Sequence, residues 1–357
     1  MWTFRALFDR HDSVAPAPAH KRGGKQRKAA PPKVATLVRP GEPIVPRMYA
    51  VDRTVLQRVG AGTGAAYANA SLLLASLFVA TSRDNVTDAF LAKAACAGRD
   101  ATARSKRLQQ RREYLAAQQT GMSRTDAFTL FLGEQTTLVA STNQFAGLLA
   151  PAQPTVDATS LLDIGAGPGC VTASLATALR LPPSRVTAME TSAPLRKALS
   201  RRGYRACNGF ESLESASPSS TFFSVVSMLN VLDRCDDPRA LLSRAVSALP
   251  VNGILVVATV VPYCDHIYEG KRGHVDAHRP PARPLAIPSA AKCGKRPPAF
   301  EEAAAAFAST AFAGLPLRLA SWTRVPYLCS GNHARTHFVL DNAIFVLRRT
   351  IGIAPAK

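Results

Sequence analysis

The residues best suited to chemistry stand at the ends of apolar runs. The run LLDIGAGPG, Leu161 to Gly169, is a hydrophobic strand that passes through Asp163 and opens into three alternating glycines, Gly165, Gly167 and Gly169. A buried strand delivers such a turn to the carboxyl edge of a parallel sheet, and glycines there let the backbone approach a nucleotide-like ligand where a Cβ would block it. Glycines also serve ordinary tight turns. A second run, Arg185 to Met189, ends in Glu190, about 20 residues past the glycines, where a carboxylate can accept both ribose hydroxyls. Taken alone, Glu190 reads as a solvated loop acid; after this turn, the ligand role is favoured. The spacing G-x-G-x-G departs from the dinucleotide pattern G-x-G-x-x-G and points to S-adenosylmethionine.

The third segment, VVSMLNVLDRCDDPRALL, places Asn230 and Asp233 just past a strand end, where a reacting substrate would lie. Methylases of exocyclic amines or glutamine often carry Asn/Asp-Pro-Pro-aromatic at this position. The tetrad here is Asn230-Val231-Leu232-Asp233, which disfavours that chemistry. Asp233 could also cap the next helix or pair with Arg234.

Holding these ends at one edge requires strands that alternate with helices. The pattern predicts strands at Leu161, Val186, Phe223–Leu229 and Ile254–Val260, with helices at Val171–Leu179, Ala193–Arg202 and Pro238–Leu249 between them. That order specifies a parallel sheet covered by helices on both faces. Glu301–Phe312 reads as an alanine-rich helix, and Leu317–Thr323 with Asn342–Leu347 as a closing antiparallel pair. Residues 263–298 are rich in proline and basic residues and read as a surface insertion. His274 and His278 lie there at four-residue spacing, but the prolines deny the helix that would pair them on a metal, and no metal is expected.

The net charge of +20 over 357 residues is uneven: residues 1–124 carry 21 Lys/Arg against 8 Asp/Glu, the remainder 23 against 16. Residues 1–50 read as a disordered basic arm that suits an anionic partner or is simply solvated, residues 51–120 as a helical extension, 121–350 as the main domain and 351–357 as a tail. Seven scattered cysteines form no CxxC pair, which suits a reducing compartment and argues against a disulfide framework or structural zinc. The apolar stretch Ala65–Ala80 contains Asn69, Ser71 and Ser76 and is too short for a transmembrane span, so it reads as a core or interfacial helix. The amino terminus lacks the long apolar region of a secretory signal, which leaves a cytoplasmic or mitochondrial location.

The stretches MSRTDAFTLFLGEQ, ASTNQFAGLL, LLDIGAGPGCVT, LNVLDRCDDPRALL and VPYLCSGN…FVLDNAIFVLRR, in that order over roughly Gly121 to Arg349, resemble the DREV methyltransferase family. The resemblance implies a Rossmann-like class I S-adenosylmethionine-dependent methyltransferase, an α/β fold whose seven-stranded, mostly parallel sheet ends in an antiparallel strand. It implies S-adenosylmethionine as donor and methylation of histidine Nδ1 (N-pros) in His-x-His motifs of protein substrates. It assigns the ribose acid to Glu190, the reacting edge to Asn230 and Asp233, and a substrate-side tyrosine to Tyr327. The chain departs from the family pattern at Pro168, at His337-Phe338 and at Pro262-Tyr263-Cys264-Asp265, positions that bear on substrate choice.

The chemistry asked of these residues is simple. A histidine ring is mostly neutral at pH 7 and needs orientation more than deprotonation. If Asp233 accepts the Nε2 proton, the Nδ1 lone pair faces the methyl group, and the carboxylate stabilises the imidazolium that forms. Asn230 would hold the methionine moiety or the substrate backbone. An RNA or small-molecule methyltransferase, and a non-catalytic basic scaffold, are the rival readings.

Overall fold

A computed structural model describes residues 46–61, 65–99, 130, 137–152, 158–216, 222–265, 267–271, 274–287, 298–332 and 335–351. The element order is α1 (Arg53–Ala61), α2 (Ala65–Leu77), α3 (Asn85–Arg99), β1 (Thr137–Leu138), α4 (Thr142–Leu149), β2 (Leu161–Ile164), α5 (Cys170–Ala178), β3 (Val186–Met189), α6 (Ala193–Arg201), β4 (Arg205–Cys207), α7 (Phe210–Ala216), β5 (Val225–Leu229), α8 (Pro238–Ser247), β6 (Ile254–Val260), β7 (Ile267–Lys271), β8 (His274–Arg279), α9 (Phe300–Ala311), β9 (Leu317–Asn332) and β10 (Arg335–Arg349).

The main sheet runs β1-β9-β10-β6-β5-β2-β3-β4. Strands β4, β3, β2, β5 and β6 pair in parallel, whereas β10 is antiparallel to β6 and to β9. The chain winds outward from β2 to β4 and restarts beside β2 with β5, so β2 and β5 flank the point where the winding reverses. Open α/β sheets bind ligands at the carboxyl ends of such strands.

Alternate residues of each strand feed two cores, one per face. Leu162, Ile164, Val226, Met228, Leu255 and Val257 pack with Leu56 of α1, Leu74 of α2, Phe210 of α7, Leu241 of α8 and Phe307 of α9. Leu161, Val186, Ala188, Val225, Val256 and Ala258 pack with Phe145 of α4, Leu175 of α5 and Leu199 of α6. Because β2, β3 and β6 are buried on both faces, they read as near-continuous apolar runs rather than as alternations. Local signals set the helix ends. Ser141 and Gln144 form a reciprocal capping box on α4, and Asp237 accepts from Ala240 N at 2.8 Å to start α8.

Three expectations change. The sheet has eight strands rather than seven, because the two-residue β1 adds to the β9 edge. The closing pair is far longer than its apolar kernels: Trp322 faces Phe345 as expected, and pairing continues to Asn332 and Arg335. The insertion holds the two-stranded sheet of β7 and β8, with Ile267 and Leu285 buried, so it is partly core. Both His274 and His278 lie on β8, an extended strand rather than a helix.

The amino-terminal helices share the core of the sheet. Trp322 Nε1 donates to Leu74 O at 2.7 Å, and Val79 N donates to Trp322 O at 2.8 Å. Pro46–Tyr49, assigned to the end of the basic arm, form a 3-10 turn with Met48 and Tyr49 buried. The rest of the arm, most of the segment MSRTDAFTLFLGEQ and the basic stretch near Arg104–Leu115 lie outside the described residues.

Candidate functional site

The glycine turn joins β2 to α5, and the residues around it bind it on every side. Gly165 N and Ala166 N donate to Met189 O at 2.8 and 3.2 Å, tying the turn to the end of β3. Beneath it, Asp163 is buried; its carboxylate accepts from the Thr172 hydroxyl of α5 at 2.5 Å and from the Ser227 hydroxyl of β5 at 2.6 Å. Parallel register places Ser227 directly opposite Asp163, so one carboxylate links two strands and a helix. Burial pushes the Asp163 carboxyl up to about 6, against the lowering effect of the two hydroxyls. Asp163 therefore underpins the turn.

The expectation that all three glycines clear space for a ligand needs correction. All three have positive φ, 75° at Gly165, 55° at Gly167 and 83° at Gly169. A Cβ on Gly165 would lie 2.5 Å from Val231 Cγ2, and one on Gly169 would lie 2.7 Å from Leu199 Cδ2. At these two positions glycine is required by backbone conformation and by the protein's own side chains. The Gly165 contact also fixes geometry, because it seats the residue after Asn230 directly against the turn.

Glu190 follows β3 and is buried, not a solvated loop acid. Its two carboxylate oxygens accept from Gly167 N at 3.0 Å and Ser192 N at 2.9 Å. A carboxylate oxygen can accept more than one hydrogen bond, so these two bonds do not conflict with ribose hydroxyls as donors. Arg196 Nη1 donates to Glu190 O at 2.8 Å and Thr191 O at 2.6 Å, which holds this strand end.

Asn230 follows β5 in the left-handed region, φ 58°, a conformation that asparagine tolerates better than other side-chain-bearing residues. It is 5% exposed, and neither its Oδ1 nor its Nδ2 has a partner. The Leu232–Arg234 3-10 turn then presents Asp233, also buried, with Oδ1 unpartnered and Oδ2 3.6 Å from Arg234 Nε. Burial raises the Asp233 carboxyl above its ordinary range, with Arg234 opposing. Asp233 is not the cap of α8; Asp237 is. Buried polar atoms are nearly always bonded, which makes these unpaired amide and carboxyl atoms the candidate ligand contacts at the carboxyl edge of the sheet.

Tyr327 lies on β9, buried; burial chiefly raises its pKa far above the ordinary phenol value, with Cys329 and Asp233 adding to the rise and Arg234 opposing it. Glu190 thus stands at the carboxyl end of β3, Asn230 and Asp233 at that of β5, and Tyr327 on β9 of the closing hairpin. His337 stands on β10 opposite Ser330, its pKa lowered by burial. Sequence reasoning missed Ser227 and Thr172, although a serine inside the apolar run VVSML was a signal, and gave no role to Tyr263, Asp265 or Asn342. Asn342 is fully buried beside Val260 and Val325, with both amide atoms unpartnered.

No helix among the described residues is long and apolar enough to cross a membrane, and no group of three or more His, Cys, Asp or Glu among them could hold a metal ion. Cys170, Cys207, Cys235, Cys264 and Cys329 are free thiols.

Several solved structures are similar. The sugar N-methyltransferase KedS8 from Streptoalloteichus sp ATCC 53650 matches at 24% identity over 37% of this chain and 51% of that one, TM-score 0.28. The CurJ carbon methyltransferase matches at 16% over 56% and 50%, TM-score 0.32. The T. Thermophilus 16S rRNA N2 G1207 methyltransferase RsmC, in complex with AdoMet and guanosine, matches at 16% over 60% and 40%, TM-score 0.30. This chain spans about half the length of the first two. A model of DREV methyltransferase matches residues 67–349, and with the strand order of a Rossmann-like class I methyltransferase already in view, the chain belongs to the DREV methyltransferase family.

Proposed function

We propose that this methyltransferase transfers a methyl group from S-adenosylmethionine to the Nδ1 nitrogen of histidine in His-x-His motifs of protein substrates. The observation that carries the reading is the pairing of a buried, partly unbonded carboxyl group, Asp233, with an unbonded amide, Asn230, against the glycine turn. The donor fits the residues present: a glycine turn in left-handed conformations, a buried acid fixed by two backbone N–H groups and an orphan amide.

S-adenosylmethionine supplies an electrophilic methyl carbon on a sulfonium. Glu190, already fixed by two backbone N–H groups, accepts the ribose hydroxyls. Asp163 touches no ligand in this scheme and keeps β2, β5 and α5 in register around the turn. The Asn230 amide holds the methionine moiety or the substrate backbone. Asp233 would accept a hydrogen bond from the Nε2–H of a neutral imidazole and so turn the Nδ1 lone pair toward the methyl carbon, the N–C bond forming as the carbon–sulfur bond of the donor breaks and the neutral thioether leaves. As the ring becomes imidazolium, the same carboxylate faces the new positive charge in a buried setting, where the pairing counts for more than it would in water. Tyr327 packs against the substrate side. Alignment of nitrogen, carbon and sulfur supplies much of the acceleration.

Radiolabelled methyl transfer to peptides with and without His-x-His, run beside total RNA, tests the reading. Label confined to His-x-His peptides, located at Nδ1 by mass spectrometry, is expected. Label in RNA alone would remove the histidine assignment.

A further inference from the structure

We infer that Asp265, just past β6, joins Asp233 in a two-carboxylate recess that selects substrates carrying a positively charged group beside the methylated nitrogen; the inference rests on the reading of this edge as the substrate side. The contacts are built through Tyr263. Its hydroxyl donates to Leu232 O at 2.8 Å, which pins the segment after β6 against the residue that precedes Asp233. Two residues on, Asp265 carries a buried Oδ1 without a partner, as Asp233 does beside Leu232. The Tyr263 ring is fixed from behind by Phe307 of α9, centroids 5.4 Å apart.

Counting donors and acceptors gives the ligand its chemistry. Asp233 Oδ1, Asp265 Oδ1 and Asn230 Oδ1 are buried acceptors without partners, whereas Asn230 Nδ2 is the one unpartnered buried donor among these three residues. The Asn230 amide is independent of the acidic pair and itself calls for a ligand at this edge. Arg234 reaches Asp233 Oδ2 at 3.6 Å, while Arg279 and Arg283 are paired with Asp236 and Asp237. Burial raises both recess carboxyls, and the charge on Asp233 raises Asp265 further. A group bringing N–H donors and positive charge satisfies the acceptors and relieves the repulsion; a phosphate would add a further negative charge to two carboxylates. The substrate class is therefore a peptide with lysine, arginine or imidazolium next to the acceptor histidine.

The test uses two peptides that share His-Ala-His and differ only in lysine or norleucine after the second histidine. Their binding to the full chain loaded with S-adenosylhomocysteine is measured by calorimetry. The lysine peptide should bind about tenfold more tightly, Asp265→Asn should bring the ratio to within about twofold, and Asp265→Glu should retain it. Equal binding of both peptides to the wild type, or an Asp265→Asn protein that keeps the preference, overturns the inference. Turnover of the same peptides is scored separately. Charge-selective binding without methyl transfer upholds Asp265 and removes the histidine reading; transfer without charge selectivity does the reverse.

Discussion

Asp163→Asn separates the brace under the glycine turn from its charge. Asp163 is 2% exposed, and burial lifts its carboxyl from 3.8 to about 6 even though two hydroxyls donate to it. In the unfolded chain the group ionises near its ordinary value. Below that value both states hold the proton, and the neutral acid contributes its full stability. Between the two values the unfolded chain releases its proton while the folded protein retains it, so stability falls as pH rises through the window and levels off above about 6. A displacement of about two units, at about 1.4 kcal/mol each, makes the drop about 3 kcal/mol. Asparagine does not titrate, and the Thr172 and Ser227 hydroxyls can reorient to serve an amide. Urea unfolding of both proteins at about pH 4 and about pH 7 measures the effect, since the titrations of Asp233 and Asp265 largely cancel in the difference. Part of the drop lies below pH 4, so the variant should gain about 2 kcal/mol on the wild type across this range. A difference that does not change with pH would mean that the hydroxyl bonds offset burial in full, and the account of the brace would fail.

Asp233→Asn should lower kcat about 100-fold, the scale of a lost proton acceptor, with cofactor affinity nearly intact by calorimetry; full turnover would remove Asp233 as the orienting group. Because burial holds the Asp233 carboxyl above its ordinary range, wild-type kcat should fall as pH drops through that raised value, and the Asn variant should lack this acid limb. Glu190→Ala takes away the acceptor of two backbone N–H groups and of the ribose, so cofactor affinity should fall about 10- to 100-fold, and unchanged affinity would count against the role. Gly165→Ala forces a Cβ to within 2.5 Å of Val231 Cγ2 at a φ of 75°. Left-handed strain and overpacking together should cost about 3 kcal/mol, read as a lowered Tm, and an unaltered Tm would show that the turn and Val231 can move apart.

Four of the five parallel strands could be read from sequence because β2, β3, β5 and β6 are short apolar runs bounded by turn residues or a capped helix, whereas β4, Arg205–Cys207, offers no such run and was missed. Ile254–Val260 has the same limits in both readings, and the helix starts at Ser141 and Asp237 carry their own capping chemistry. The closing hairpin was read only at its apolar kernel. Residues between Arg324 and Asp341 are polar or punctuated by Pro326, Gly331 and Asn332, which look like loop, yet the strands pair through them. What holds them is tertiary. Arg324 donates to Asp341 across the pair and lies over the Phe300 ring, and Trp322 stacks between Phe300 and Phe345. Composition cannot reveal a strand whose partners are supplied by another element.

The site divides along the same line. Its cofactor half is written within about 30 consecutive residues, from Asp163 to Glu190, because a strand, a turn, a helix and a second strand return the chain to the edge it left. Its substrate half is assembled from the ends of β5 and β6 and from β9, which carries Tyr327. No single window holds that half, and each of its residues has an ordinary local explanation: Asp233 as a cap, Tyr263 as core, Asp265 as a solvated turn acid. Only the orphaned atoms distinguish function from packing there. A cap would have bonded its helix, and Asp237 does so while Asp233 Oδ1 bonds nothing. Tyr263 has what a core tyrosine needs, an apolar neighbour in Phe307 and an acceptor in Leu232 O; what sets its segment apart is the buried, unpartnered Oδ1 of Asp265 two residues on. Residues whose burial leaves polar atoms unpaired destabilise the free protein, so their placement makes physical sense where a bound partner offsets the loss.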